Sequence, residues 1–274
     1  MQKHGYYGSE SITWKIGQES ILLLGGARAV LMQLAHPLVA MGVSEHSSYM
    51  TNPFKRTEHT FLLGQMLTFG TTVTARQAAR RINNLHKHVY GTLPAEAGAY
   101  SEGTAYHARD PKLLLWVHAT LADTILLTYP LFVGSLIHQE QDNYYQESKT
   151  IGHLLGLTNA DMPPTVDDLY AYVHDVVYSN QLASTPQAQQ LVRQVLYPPV
   201  PTALRPILHL NLQVTSALLP QPVREIYGLD WGAKRQKIFD LAAIGIRNTY
   251  PHLPTALRVM PITRKMMQQQ EGMH

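Results

Sequence analysis

Apolar positions along this chain recur at helical spacing, and prolines and glycines break them into segments. Ser20–Val43 is rich in Leu, Ala and Met, with Gly25-Gly26 as a close-packing point and Pro37 as a kink or an end. Asn52-Pro53 signals a turn, after which Arg56–Thr68 is again helical in composition. In Thr74–Val89, residues Ala75, Ala78, Ala79, Ile82 and Leu85 form an apolar stripe, with Arg76, Arg80 and Arg81 elsewhere on the wheel. Asp110-Pro111 supplies an N-cap and a first-turn proline for the most apolar stretch, Leu113–Ile137. Further helices are predicted over Asn143–Gly156, Val166–Asn180 with Thr165 as N-cap, Gln187–Leu196, Leu204–Leu219 and Lys234–Asn248. No alternating run is bounded by hairpin dipeptides, and neither a long repeat nor a long linker is present. The predicted fold is all-α, a single compact multi-helix domain over residues 1–274. Residues 1–15 and 265–274 are expected to be peripheral, and the tail frayed.

Leu113–Ile137 is long enough to span a bilayer. It also contains His118, Thr120, Asp123, Thr124 and Pro130, and ionisable groups in hydrocarbon are expensive. A central core helix is therefore predicted, with no stable membrane span. The start, MQKHGYYGSESITWK, lacks a long apolar run of the signal-peptide kind, which predicts a cytoplasmic location.

Composition narrows the chemistry. With no cysteine, the chain cannot carry a disulfide scaffold, an iron–sulfur cluster, a thiolate-ligated or covalently attached haem, or a cysteine nucleophile. Lys and Arg number 22 against 19 Asp and Glu, a net charge of +3 spread along the chain. The densest basic pairs, Arg80-Arg81 and Lys234-Arg235, are short and not interleaved with aromatics, so they read as solvated helix faces and no nucleic-acid partner is expected. The 14 histidines are the remaining chemical resource.

Most motif classes fail on inspection. Gly25-Gly26 has no phosphate-loop context, and neither a G-x-S-x-G elbow nor H-E-x-x-H occurs. The only Glu-x-x-His is Glu271…His274 at the terminus, which argues against a di-iron carboxylate bundle and against a di-metal or hydrolytic helical enzyme. Arg56, His59 and Thr60 fall at i, i+3 and i+4 and share a helix face, which by spacing alone reads as a solvated stripe. His86 follows Ile82 and Leu85 toward the expected buried side of its helix, and His118 lies in the middle of the most apolar one. For any one such histidine a satisfied core hydrogen bond is the default. A single axial imidazole is nonetheless all that a b-type haem asks of a protein, since the porphyrin supplies the other ligands. His36, paired with Gln33, is read as a structural contact, and Glu45 and His46 as loop residues at a possible site mouth. Tyr100, Tyr106, Tyr144 and Tyr145 are read as core-edge packing.

The ordered blocks GGARAVLMQLAHPLVAMGVSEHSSY, NPFKRTEHT, LHKHVYG, HARDPKLLLWVHATL, DNYYQE, GLTNADMPPT, LLPQPVREIYGLDW and LPTALRVMP resemble the family of the MpaB-type oxygenase and the latex-clearing rubber oxygenase, from about Gly25 to Pro261. The resemblance implies a globin-like or rubber-oxygenase-type helical domain. It also implies a non-covalent haem b and dioxygen chemistry on a small lipophilic substrate of alkene or isoprenoid type. Carried over by motif, Arg56 and Thr60 match the family's distal Arg and Thr, and His59 stands where the rubber-oxygenase branch has Lys. The H-x-x-V-x-G block makes His86 the axial ligand, with His118 of WVHATL as the alternative. His59 is then either a second axial ligand or a hydrogen-bond donor to dioxygen, and Glu45 is the nearby candidate for the family's carboxylate base. A non-catalytic haem or apolar-ligand carrier of the same fold is the alternative function.

Overall fold

The computed structural model describes residues 4–46 and 53–271, with side chains described for all of these except 53–57, 204 and 271. Helices α1 (Ile12–Gly17), α2 (Gly26–Leu34), α3 (Pro37–His46), α4 (Pro53–Phe69) and α5 (Thr72–His86) precede a short ribbon of β1 (Tyr90–Thr92) and β2 (Ala105–His107). Then come α6 (Pro111–Phe132), α7 (His138–Leu155), α8 (Val166–Tyr178), α9 (Pro186–Leu196), α10 (Arg205–Leu218), α11 (Gln221–Ile226), α12 (Ala233–Thr249), α13 (Thr255–Arg258) and α14 (Pro261–Glu271). The all-α expectation holds. The antiparallel ribbon, pairing Tyr90 with His107 and Thr92 with Ala105, is an addition that no alternating pattern announced, because three residues are too few to show one.

α6 is the central helix, packed against α2, α7, α8 and α12. Asp110 caps it by accepting from the Lys112 N–H at 2.8 Å, Pro111 opens the first turn, and Pro130 lies in the last. It is the one described helix long and apolar enough by itself to cross a membrane, and 67% of that window is buried in the protein. Trp116, Phe132, Leu31, Met32, Leu169 and Tyr145 form the centre of the main core around it.

Thr120, Thr124 and Thr128, four residues apart, make a buried polar stripe on α6 facing the start of α2. Gly25 is where the chains come closest. A methyl group there would lie 2.7 Å from Thr124 Cγ2 and 2.8 Å from Thr128 Cγ2. Arg28, one turn on and 4% exposed, was not recognised in the sequence as a core residue. Its guanidinium pairs with Asp123 at 2.6 Å, donates to Thr124 Oγ1, and donates through Nε to the Leu218 carbonyl at 2.9 Å. One buried cation therefore binds α2, α6 and α10 together.

Segment Ser20–Val43 is not one helix. A 3-10 stretch (Ser20–Gly25) runs into α2, and α3 leaves at 104° after the break at Ala35-His36, where Pro37 cannot continue the hydrogen-bond ladder. His36, buried at that corner, meets the Tyr100 hydroxyl at 2.9 Å through Nε2, and burial pushes its pKa down to about 4.

Of the segments expected to be peripheral, 1–3 and 272–274 lie outside the described residues, and the described parts are tied to the body of the domain. α14 packs on α4, and Gln270, 5% exposed, donates to the carbonyls of Phe69 and Gly70 and accepts from the Gly5 N–H. One carboxamide thus satisfies the turn between α4 and α5 and the N-terminal strand-like segment together. Tyr7 is buried, and the Glu147 carboxylate accepts from the N–H groups of Ile12 and Thr13 at 3.3 and 2.8 Å. Gln270 and Tyr7 hold the ends by polar contacts, which a search for apolar periodicity does not detect.

Candidate functional site

α4 and α5 form an antiparallel helical hairpin. Thr71 caps α5 by accepting from the Thr74 N–H at 3.2 Å, and Leu63 and Leu67 of α4 pack on Ala78 and Ala79 of α5. Small residues on α5 allow close approach here, and Met66, Ile82 and the α7 residues Ile151, Leu154 and Leu155 close the cluster. Asn83 Nδ2 donates to the Leu154 carbonyl at 2.9 Å and fixes α5 against α7.

His59 lies one turn before Leu63, and His86 one turn after Ile82. Because the helices run antiparallel, both imidazoles fall in the half of the hairpin away from its turn. Both are half-buried, and His59 Nε2 and His86 Nδ1 are shut off from solvent. The stripe assignment on α5 needs one correction. Ile82 and His86 share the inner face, whereas Leu85 is 55% exposed, since one residue's step turns the wheel by about 100°. Arg80 and Arg81 line the outer face with it, as an open groove that His88, just beyond the end of α5, completes.

Thr60 is exposed, so the face that Arg56, His59 and Thr60 share by spacing is divided, with His59 turned inward. Arg56 lies on α4 three residues before His59, and its side chain lies outside the described residues. Glu45 and His46 are not in a loop. They form the last residues of α3, and the ribbon holds them there. The Tyr106 hydroxyl donates to Glu45, and His46 Nε2 donates to the Tyr90 carbonyl at 3.1 Å. Burial first, and the Glu45 carboxylate second, push the Tyr106 phenol pKa well up, so it stays protonated as a donor. A methyl group at Gly42 of α3 would lie 3.2 Å from Val89, three residues beyond His86. The end of α3, with Glu45, therefore lies beside the segment that leaves α5 after His86, while His59 and His86 are carried by the α4–α5 hairpin itself.

His118 lies elsewhere. It is 8% exposed on the face of α6 that meets α7, among Leu114, Leu115, Leu157 and Met162. Ser148 of α7 lies 3.5 Å from Nε2, and its own proton goes to the Tyr145 carbonyl at 2.7 Å, which leaves the imidazole as the donor. Burial, and then the nearby His153 and Lys149, lower its pKa to about 4. Ile151, Leu154 and Leu155 of α7 pack instead into the cluster of the α4–α5 hairpin, so His118 and His86 belong to different clusters. Among the described residues no group of three or more His, Asp or Glu is placed to hold a bare metal ion.

The catalytic domain of ER-bound oxygenase mpaB/B' and rubber oxygenase matches residues 13–248. The chain belongs to this family. Two curated relatives, the uncharacterized proteins Mb2261 of Mycobacterium bovis and Rv2237 of Mycobacterium tuberculosis, are each 28% identical over 221 residues. Those alignments cover 78% of this chain and 83% of each relative. No solved structure matches the chain. Family membership bears out the resemblance read from the ordered blocks, and it makes an oxygenase-type enzyme the coarse assignment.

Proposed function

We propose that this protein is a haem b-dependent oxygenase acting on a small lipophilic substrate with dioxygen, and that its centre is the half of the α4–α5 hairpin that carries His59 and His86. The observation that carries the reading is the placement of His59 and His86 in one half of a single hairpin, each with a ring nitrogen withdrawn from solvent, in a chain of this family. That donor set suits a non-covalent haem, which needs imidazole nitrogen and no thiolate. When bound, the haem supplies dioxygen binding and the iron redox chemistry.

The remaining contributions belong to the chain. His86 would hold the iron from the last turn of α5, a position set by the Asn83–Leu154 bond one turn earlier. His59 of α4 would be a second imidazole holding the iron or a hydrogen-bond donor to dioxygen. Arg56 would add a fixed positive charge on the same helix, and Thr60 would border the solvent side. Glu45 would act as proton acceptor, held in one orientation by Tyr106, whose raised pKa prevents it from competing for the proton. The interior location of His118 supports a structural role, because a porphyrin plate needs a slot that its packed neighbours do not leave.

The test is an absorption spectrum of protein produced with ample haem. A Soret band at one haem per chain is expected, and it should vanish in His86→Ala while far-UV circular dichroism is unchanged. Haem retained by His86→Ala but lost from His118→Ala would overturn the ligand assignment. Dioxygen uptake with polyunsaturated or isoprenoid substrates distinguishes the oxygenase from a haem carrier, which would show none.

A further inference from the structure

α12 is apolar on two sides. Its inner side is accounted for, since Phe239, Ala243 and Ile246 pack toward the core and the Phe239 ring meets Phe132 with centroids 6.3 Å apart. On the outer side Ile238 is 61%, Leu241 71% and Ile244 56% exposed. Ile238, Leu241, Ala242 and Gly245 follow the i, i+3, i+4, i+7 spacing of one face. α10 packs against α12 and in its first half leaves Ile207 63% and Leu210 61% exposed. Apolar exposure concentrated in this way marks an interaction surface rather than scattered surface residues.

The charges around this surface identify its occupant. Lys234, Arg235 and Lys237 are all exposed in the first turns of α12, Arg205 is exposed at the start of α10, and Asp240 is the only acid on α12. We propose that the outer face of α12, with the first half of α10, docks on an anionic lipid surface. The helix would lie flat, its apolar face at the acyl boundary and its basic first turns among the headgroups. A second copy of the chain fits poorly, because a twofold contact would bring two sets of Lys234, Arg235 and Lys237 together with too few acids to neutralise them. Anionic headgroups pair with these charges, and lysine stems can lie along the apolar face while the ammonium groups reach phosphate. The inference does not depend on haem and leaves the core of α6 buried.

Co-sedimentation of the full chain with vesicles tests it, using two parts phosphatidylcholine to one of phosphatidylserine against phosphatidylcholine alone. Binding to the anionic vesicles is expected, at least about tenfold tighter than to the neutral ones. Replacing Lys234, Arg235 and Lys237 together by Gln should weaken it about a hundredfold, at roughly fivefold per charge near the surface. Ile238→Ser with Leu241→Ser should weaken it about tenfold or more. All five side chains are exposed, so the helical spectrum and thermal midpoint should not move. Equal binding to both vesicle types, or binding that neither set of substitutions alters, overturns the proposal. So does a dimer in sedimentation equilibrium that Leu241→Ser dissociates while no vesicle binds, which assigns the face to a second copy.

Discussion

His118 and His86 belong to different clusters, and their surroundings contrast. Around His118 the interior is closed. Leucines and Met162 fill the space, Ser148 Oγ accepts from the imidazole N–H, and desolvation keeps the ring neutral. The same helix carries Asp123, which Arg28 neutralises while its other N–H groups donate to Thr124 and the Leu218 carbonyl. In the half of the α4–α5 hairpin away from its turn the apolar cluster stops at Leu63 and Ile82, and the next turn of each helix supplies a half-buried imidazole. Polar groups in the first region are consumed in holding helices together. Those in the second are presented at the edge of the apolar cluster. Burial alone therefore does not distinguish the two histidines, and position relative to a closed core does.

The contrast can be broken most forcefully at Arg28. Arg28→Ala leaves Asp123 charged and unpaired in the interior, so a loss of about 3–5 kcal/mol is expected by urea denaturation. A loss below about 1 kcal/mol would mean that the pair is not held in the closed core described here.

pH addresses the same interior. His118 and His36 each have a folded pKa of about 4, below the ordinary imidazole value of 6.5, because burial disfavours the charged ring. Between those values the unfolded chain binds more protons than the folded one, so stability rises with pH. It is complete above about pH 6.5 and is lost as pH falls toward about 4, by an upper bound on the order of 3 kcal/mol per histidine. His118→Gln should flatten part of that slope, and an unchanged slope would remove His118 from the account.

Close packing comes next. Gly25→Ala drives a methyl group into Thr124 and Thr128 and should cost about 1–3 kcal/mol, read as a lower denaturation midpoint, whereas Gly26→Ala meets nothing and should be neutral or better. The smallest effect on stability is expected at the hairpin edge, where His86→Ala should cost less than about 1 kcal/mol in the haem-free protein. It is also the substitution expected to remove haem altogether. If it proved as costly as Arg28→Ala, the hairpin end would be part of the structural core.

Helix content was readable because it depends on local spacing and local chemistry. Asp110-Pro111 starts α6, and Thr165 caps α8 by accepting from the Asp168 N–H, as the residue types require. Helix ends were less so. α7 begins at His138, five residues before its predicted start, because Glu140 reaches back to the Ile137 N–H at 3.1 Å and stabilises a polar first turn. Of the candidate site, the residue types and their order on the chain were legible, and so was the family they belong to.

The sequence by itself determined a helical chain without thiol chemistry, rich in histidine and carrying the ordered blocks of an oxygenase family. These properties reside in residue identity and short-range periodicity, and no contact is needed to see them. Only the tertiary structure decided that His86 and His118 belong to different clusters, that Leu85 faces solvent, and that Glu45 lies at the end of a helix beside the segment leaving His86. It also decided that Arg28 is a core residue, because its partners Asp123 and Leu218 are 95 and 190 positions away along the chain. Two histidines on apolar helices look alike in sequence, and what distinguishes them is which neighbours the packing of distant helices brings to each.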